Sequence, residues 1–77
     1  MSDPFHVAMA MGLPVAGITR YEAMHVAIEA MGSVDLQATF YHDPAGGRVW
    51  WQAGGELHAT IEDAVLDAYV RAMRGGA

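Results

Sequence analysis

Four histidines, nine carboxylates and two serines are the side chains of this 77-residue chain with the most obvious capacity for chemistry. His6, His25, His42 and His58 are spaced 19, 17 and 16 residues apart, with no HxxxH or HExxH pair and no cysteine to complete a metal site. Surface histidines satisfied by water are the expectation. Asp43 follows His42 at a turn, and Glu62 with Asp63 opens a helix, so turn chemistry and the helix dipole already account for these three. Ser2 is terminal and Ser33 lies in a helix-ending loop, which leaves no credible nucleophile. Gly46-Gly47 and Gly54-Gly55 join strands rather than open a helix, so they are not phosphate cradles. The expectation is a non-enzymatic protein with no catalytic residue, metal or cofactor.

The elements that would carry these residues can be read from periodicity. Asp3 is a plausible N-cap and Pro4 suits a first helical position, so Phe5–Met11 forms either two helical turns or an apolar arm before Gly12 and Pro14. Thr19-Arg20-Tyr21-Glu22 is a capping box, and Met24, Ala27, Ile28 and Met31 follow as an apolar stripe, predicting a helix over Arg20–Met31 that stops at Gly32. The period then changes to two. Leu36, Ala38, Phe40 and His42 alternate with Gln37, Thr39 and Tyr41 as a half-buried strand, and Asp43–Gly47 is a turn. In the returning strand Arg48–Ala53, Val49, Trp51 and Ala53 lie opposite Arg48, Trp50 and Gln52. After Gly54-Gly55, Glu56–Ala59 is short enough for a third, edge strand. Thr60 caps a last helix with Glu62 and Asp63 in its first turn and Arg71 and Arg74 in its last. Its apolar stripe is Ile61, Ala64, Val65, Ala68 and Ala72, widened by Leu66, Tyr69 and Met73, and Asp67 pairs with Arg71 at i, i+4.

The fold class is therefore α+β in the order α-β-β-β-α: a three-stranded antiparallel meander on which two helices pack, with a possible extra N-terminal helical turn. Residues 1–77 form one domain, with 1–18 as arm or short helix and 19–74 as the compact core. Adjacent Trp50 and Trp51 must point to opposite faces. Either a helix on each face covers both, or one tryptophan is exposed beside Tyr41 as an interface anchor.

Composition narrows the function classes. Charged residues are only 17% of the chain, so some apolar surface must be exposed, a mild argument for a partner or self-association. Nine acidic residues face Arg20, Arg48, Arg71 and Arg74, and lysine is absent. A net charge of −5 argues against direct phosphate-backbone binding and suits either solubility or contact with a basic protein surface. The apolar stretch Pro4–Ile18 is too short and interrupted to span a membrane, so a cytoplasmic protein is expected. The element order is also that of double-stranded RNA-binding domains, but the last helix begins Thr60-Ile61-Glu62-Asp63 where those domains need lysines.

A second resemblance goes further. Arg20-Tyr21-Glu22-Ala23-Met24 through Glu29-Ala30-Met31-Gly32, a tryptophan-bearing meander, and Leu57-His58-Ala59-Thr60-Ile61-Glu62-Asp63-Ala64-Val65 leading into an alanine-rich helix with Arg71 resemble small phage proteins of the ABA-sandwich type. The likeness spans roughly residues 19–74, and its motifs are loose. Size, acidity, missing lysine and a GC-rich coding signature (fourteen alanines, nine glycines, only arginine as base) are also similar to type I anti-CRISPR proteins, the type I-C inhibitors among them. That resemblance implies an inhibitor in the host bacterial cytoplasm that binds a Cascade subunit and blocks its DNA-binding surface; it carries over no functional residue. The surface such an inhibitor would use comprises the carboxylates Glu22, Glu29, Asp35, Asp43, Glu56, Glu62, Asp63 and Asp67, with Tyr41 and Trp50 as anchors. The chain would be a monomer or weak homodimer. The competing expectation is a phage accessory or structural protein that self-associates.

Overall fold

A computed structural model describes residues 3–13 and 19–75. Among these residues there are three helices and a two-stranded antiparallel sheet, in the order α1 (Pro4–Ala10), α2 (Arg20–Met31), β1 (Gln37–Asp43), β2 (Gly46–Gln52) and α3 (Ile61–Gly75). The first element is a helix, one residue earlier at each end than the spacing suggests. Asp3 caps it by accepting the Phe5 amide at 3.0 Å, with Pro4 in its first turn. The capping box of α2 forms as expected: Thr19 Oγ1 accepts the Glu22 amide at 3.2 Å, and the Glu22 carboxylate accepts the Thr19 amide at 3.3 Å. Gly32 closes α2, donating its amide to Ile28. Thr60 caps α3 by accepting the Asp63 amide.

The core lies between the helices. Ala8 and Leu13 from the N-terminal segment, Ala23, Met24 and Ala27 from α2, and Val65, Leu66, Tyr69 and Val70 from α3 form one buried cluster. The sequence pattern suggests that both long helices lie on the sheet; instead α2 and α1 pack on α3, and the sheet touches mainly α3. The small residues Ala23, Ala27 and Ala64, all essentially buried, let the helices approach closely. A pair of seven-residue strands offers too little area to compete. The buried face of α3 also departs from the alanine stripe. Val70 is buried, whereas Ala72 is exposed and Met73 is 46% exposed. Larger side chains at 65, 66, 69 and 70, facing both α1 and α2, bury more area than the alanines could.

The meander loses its third strand. Glu56–Ala59 meets β2 only through one bridge, in which Trp51 and His58 exchange both backbone bonds at 2.7 Å. The reason lies in α3: Asp67 accepts the Glu56 amide at 3.2 Å and draws this segment toward the helix. The half-buried character expected of β1 is absent too. α3 meets β2 but none of the described helices packs closely on β1, so Phe40 is 63% exposed, and Ala38 and His42 are open to solvent.

Candidate binding surface on the hairpin

The hairpin register runs without interruption from Gln37 opposite Gln52 to Asp43 opposite Gly46. Pro44 and Ala45 make the connection, and Asp43 Oδ1 accepts the Ala45 amide at 3.0 Å, the local bond that favours aspartate at a turn. Cross-strand pairing places Thr39 beside Trp50 and Tyr41 beside Arg48 on one face. The Arg48 guanidinium lies 6.0 Å from the Trp50 ring centroid, within cation–π range. Tyr41 is 49% exposed and Trp50 half-buried. Thus the two expected anchors share a face, with an arginine between them. The opposite face carries Ala38, Phe40, His42, Val49 and Trp51, with Leu36 just before it. Phe40 lies across Gly47, where any β-carbon would collide with its ring. Trp51 is half-buried, so neither tryptophan is enclosed and neither is fully open.

Phe40 is the most exposed large apolar residue of the hairpin, although alternation predicts a half-buried strand here. Period two says which residues share a face, not whether anything covers that face.

The hairpin is held to the helical body through Asp67. Its Oδ2 bonds His58 Nε2 at 2.9 Å and accepts the Glu56 amide, while Oδ1 accepts Arg71 Nε at 3.1 Å. Burial pushes this carboxyl up, but the bonds from His58 and Glu56 and the charge of Arg71 outweigh it, leaving it below its ordinary 3.8. His58 is therefore tied to a carboxylate in a half-buried position, contrary to the expectation of four surface histidines satisfied by water. Gly55 passes so close to this group that an added β-carbon would lie 2.6 Å from Asp67 Oδ2. Gln52 Nε2 closes the loop by donating to the Gly55 carbonyl at 2.8 Å. The i, i+4 spacing of Asp67 and Arg71 was legible in the sequence; the His58 contact, made through the fold, was not.

A second cluster ties the helices together. Arg20 binds both carboxylate oxygens of Asp3, one of them at 2.6 Å, reaches Asp63 Oδ1 at 3.2 Å, and stacks over the Phe5 ring at 5.0 Å. The hydrogen bonds from Arg20 hold the Asp3 carboxyl at about 2, below its ordinary 3.8. Ionised Asp3 thus favours the folded state above pH 4, and that contribution disappears as pH falls from about 4 to about 2. Arg20→Gln should flatten the urea-midpoint profile across this window, leaving the part due to Asp67. It should cost roughly 1 kcal/mol or less at pH 7, because Arg20 is well exposed and solvent screens the pair. An unchanged acid profile would contradict the assignment.

These two clusters divide the acidic residues named from the sequence. Asp63 and Asp67 are engaged with arginines inside the fold. Glu22 is exposed and belongs to the capping box of α2. Glu29 on α2, Asp35 in the connection to β1, Asp43 at the hairpin turn and Glu56 are exposed, and Glu62 is half-buried in the first turn of α3. Arg20 and Arg71 are likewise engaged, which leaves Arg48 and Arg74 as the other two positive side chains.

A cleft of about 260 Å³ beside His58 and Asp67 is also lined by Glu56, Arg71 and Arg74. Its charges are mixed, so it builds up neither a cationic nor an anionic field. Among the described residues, no three His, Asp or Glu side chains cluster so as to hold a metal ion, and no helix is long and apolar enough to cross a membrane. No family model, curated protein or solved structure matches the chain.

Proposed function

We propose that this chain is a non-enzymatic binding protein that presents its hairpin and its solvent-facing carboxylates to a basic protein surface. In its most specific form the proposal is a phage- or prophage-encoded anti-CRISPR-type inhibitor acting in the host cytoplasm. It would occupy the DNA-binding surface of a type I Cascade effector. The observation that carries the reading is the open hairpin: Tyr41 is exposed on one side and Phe40 on the other, on a strand against which none of the described helices packs closely. Exposed aromatics on a rigid element are typical anchors of protein interfaces. The charge distribution supports a basic partner, since Asp63 and Asp67 are neutralised internally while Glu29, Asp35, Asp43 and Glu56 face solvent. The Cascade part rests on the sequence resemblance alone.

The electrostatic component has its own test. Glu22→Gln with Glu29→Gln preserves the capping box, because glutamine accepts the same amide bond, yet removes two charges from α2. Affinity for the effector should fall roughly tenfold, and rising salt should weaken the wild type more than the variant. Equal affinity of the two proteins at every salt concentration would remove the carboxylates of α2 from the account.

A further inference from the structure

The outer edge of β1 presents backbone groups that have no partner among the described residues. Trp51 donates its N–H to His58 and accepts the His58 N–H at its own carbonyl, both at 2.7 Å. Both backbone groups of Trp51 therefore point away from β1, so Trp51 and Ala38 form a non-hydrogen-bonded pair. Alternation makes Phe40 with Val49, and His42 with Gly47, pairs of the same kind. The N–H and C=O groups of Ala38, Phe40 and His42 are thus turned to the outer edge of β1. Among the described residues nothing there bonds them. Edges of this kind are usually protected by Pro, Lys, a bulge or a covering element. Gln37–Asp43 contains no Pro, Lys or Arg, its register is unbroken, and no helix packs closely on it. The β2 edge, by contrast, is partly covered by His58.

We propose that two copies join antiparallel along β1, about a two-fold axis through Phe40, into a four-stranded sheet ordered β2-β1-β1-β2. In this register Phe40 pairs with Phe40 of the second copy, and Ala38 with His42 in both directions. All three outward-facing residues then find partners, each pair exchanging two backbone bonds. The register is self-compatible in local charge. Gln37 falls opposite Asp43 and Thr39 opposite Tyr41, so no like charges meet, although each chain carries −5. The contact is isologous and closes at two copies. It also brings the exposed Phe40 side chains together and joins the two Tyr41–Trp50 faces into one surface.

Sedimentation equilibrium and amide hydrogen exchange on the full chain, up to about 1 mM, test this. The wild type should show a mass rising toward twice 8.2 kDa. The amides of Ala38, Phe40 and His42 should become slower to exchange with concentration, while those of Gln37, Thr39 and Tyr41, already facing β2, change little. Ala38→Pro removes only an outward N–H, and Phe40→Lys adds a charge at the axis; each should weaken dimerisation about tenfold or more. A wild type that stays monomeric overturns the proposal and leaves this edge for a strand of another protein. A dimer unaffected by both substitutions, or protected at other amides, overturns it as well. Partner binding is scored separately with Ala38→Pro alone, because Phe40 is itself one of the exposed aromatics of the proposed binding hairpin.

Discussion

Asp67→Ala should lower the unfolding free energy by about 2 kcal/mol and loosen the hairpin more than the helices. The carboxylate is 15% exposed and accepts from His58, the Glu56 amide and Arg71; alanine leaves a half-buried imidazole and a backbone amide without their acceptor. The segment that follows β2 would then be held mainly by the Trp51–His58 bridge and the Gln52–Gly55 bond. Urea unfolding gives the global loss, and hydrogen exchange at Trp51 and His58 separates it from local release. Those two amides should lose protection beyond the global change, whereas Val65, Leu66 and Tyr69 follow it. Uniform loss across hairpin and helices would contradict the anchoring role. Acid should act in the same direction: Asp67 lies below its ordinary value, so its contribution is present above pH 4 and lost as pH falls.

Leu66→Ala should cost more stability than Asp67→Ala, about 3 kcal/mol. Leu66 is fully buried where α3 meets the other two helices, and truncation removes several methyl and methylene groups and leaves a cavity. A domain this small is stable by only about 4–12 kcal/mol, so the variant loses a quarter or more of its stability. Met73→Ala, on the exposed side of the same helix, should change stability by no more than about 0.5 kcal/mol. Chemical denaturation of the pair checks the burial assignment. A similar cost at both positions would mean that the apolar face of α3 has been misplaced.

How much of this was legible in the sequence follows from the range of the interactions involved. Caps are local, so Asp3, Thr19 with Glu22, and Thr60 marked the helix starts correctly. Alternation is local as well, and it places residues 37–42 and 48–52 on the faces they occupy, but the turn expected over Asp43–Gly47 shrinks to Pro44-Ala45, because Asp43, Gly46 and Gly47 pair within the strands. The choice between helix-on-sheet and helix-on-helix packing is not local. It depends on Ala23, Ala27 and Ala64 permitting close approach, and on Ala8 and Leu13 completing the core from a segment whose sequence suited an arm equally well. For the same reason the segment after β2 pairs with it through a single bridge rather than as a third strand. Glu56–Ala59 has strand-like composition, but a carboxylate from α3 takes its first amide. The carboxylates were visible as charge, whereas their division between internal clusters and open surface required the fold, which joins Asp3 to Arg20 and Asp63 to the same guanidinium.

Affinity for a purified type I Cascade complex tests the binding account most directly, comparing the wild type with a Tyr41→Ala/Trp50→Ala variant whose helical core is verified by circular dichroism. Tyr41 and Trp50 share the face with Arg48, and removing both rings should weaken binding at least about tenfold while the helical signal persists. Measurable wild-type binding with that loss is the predicted result. No binding by the wild type, or equal affinity of the two proteins, would contradict the account.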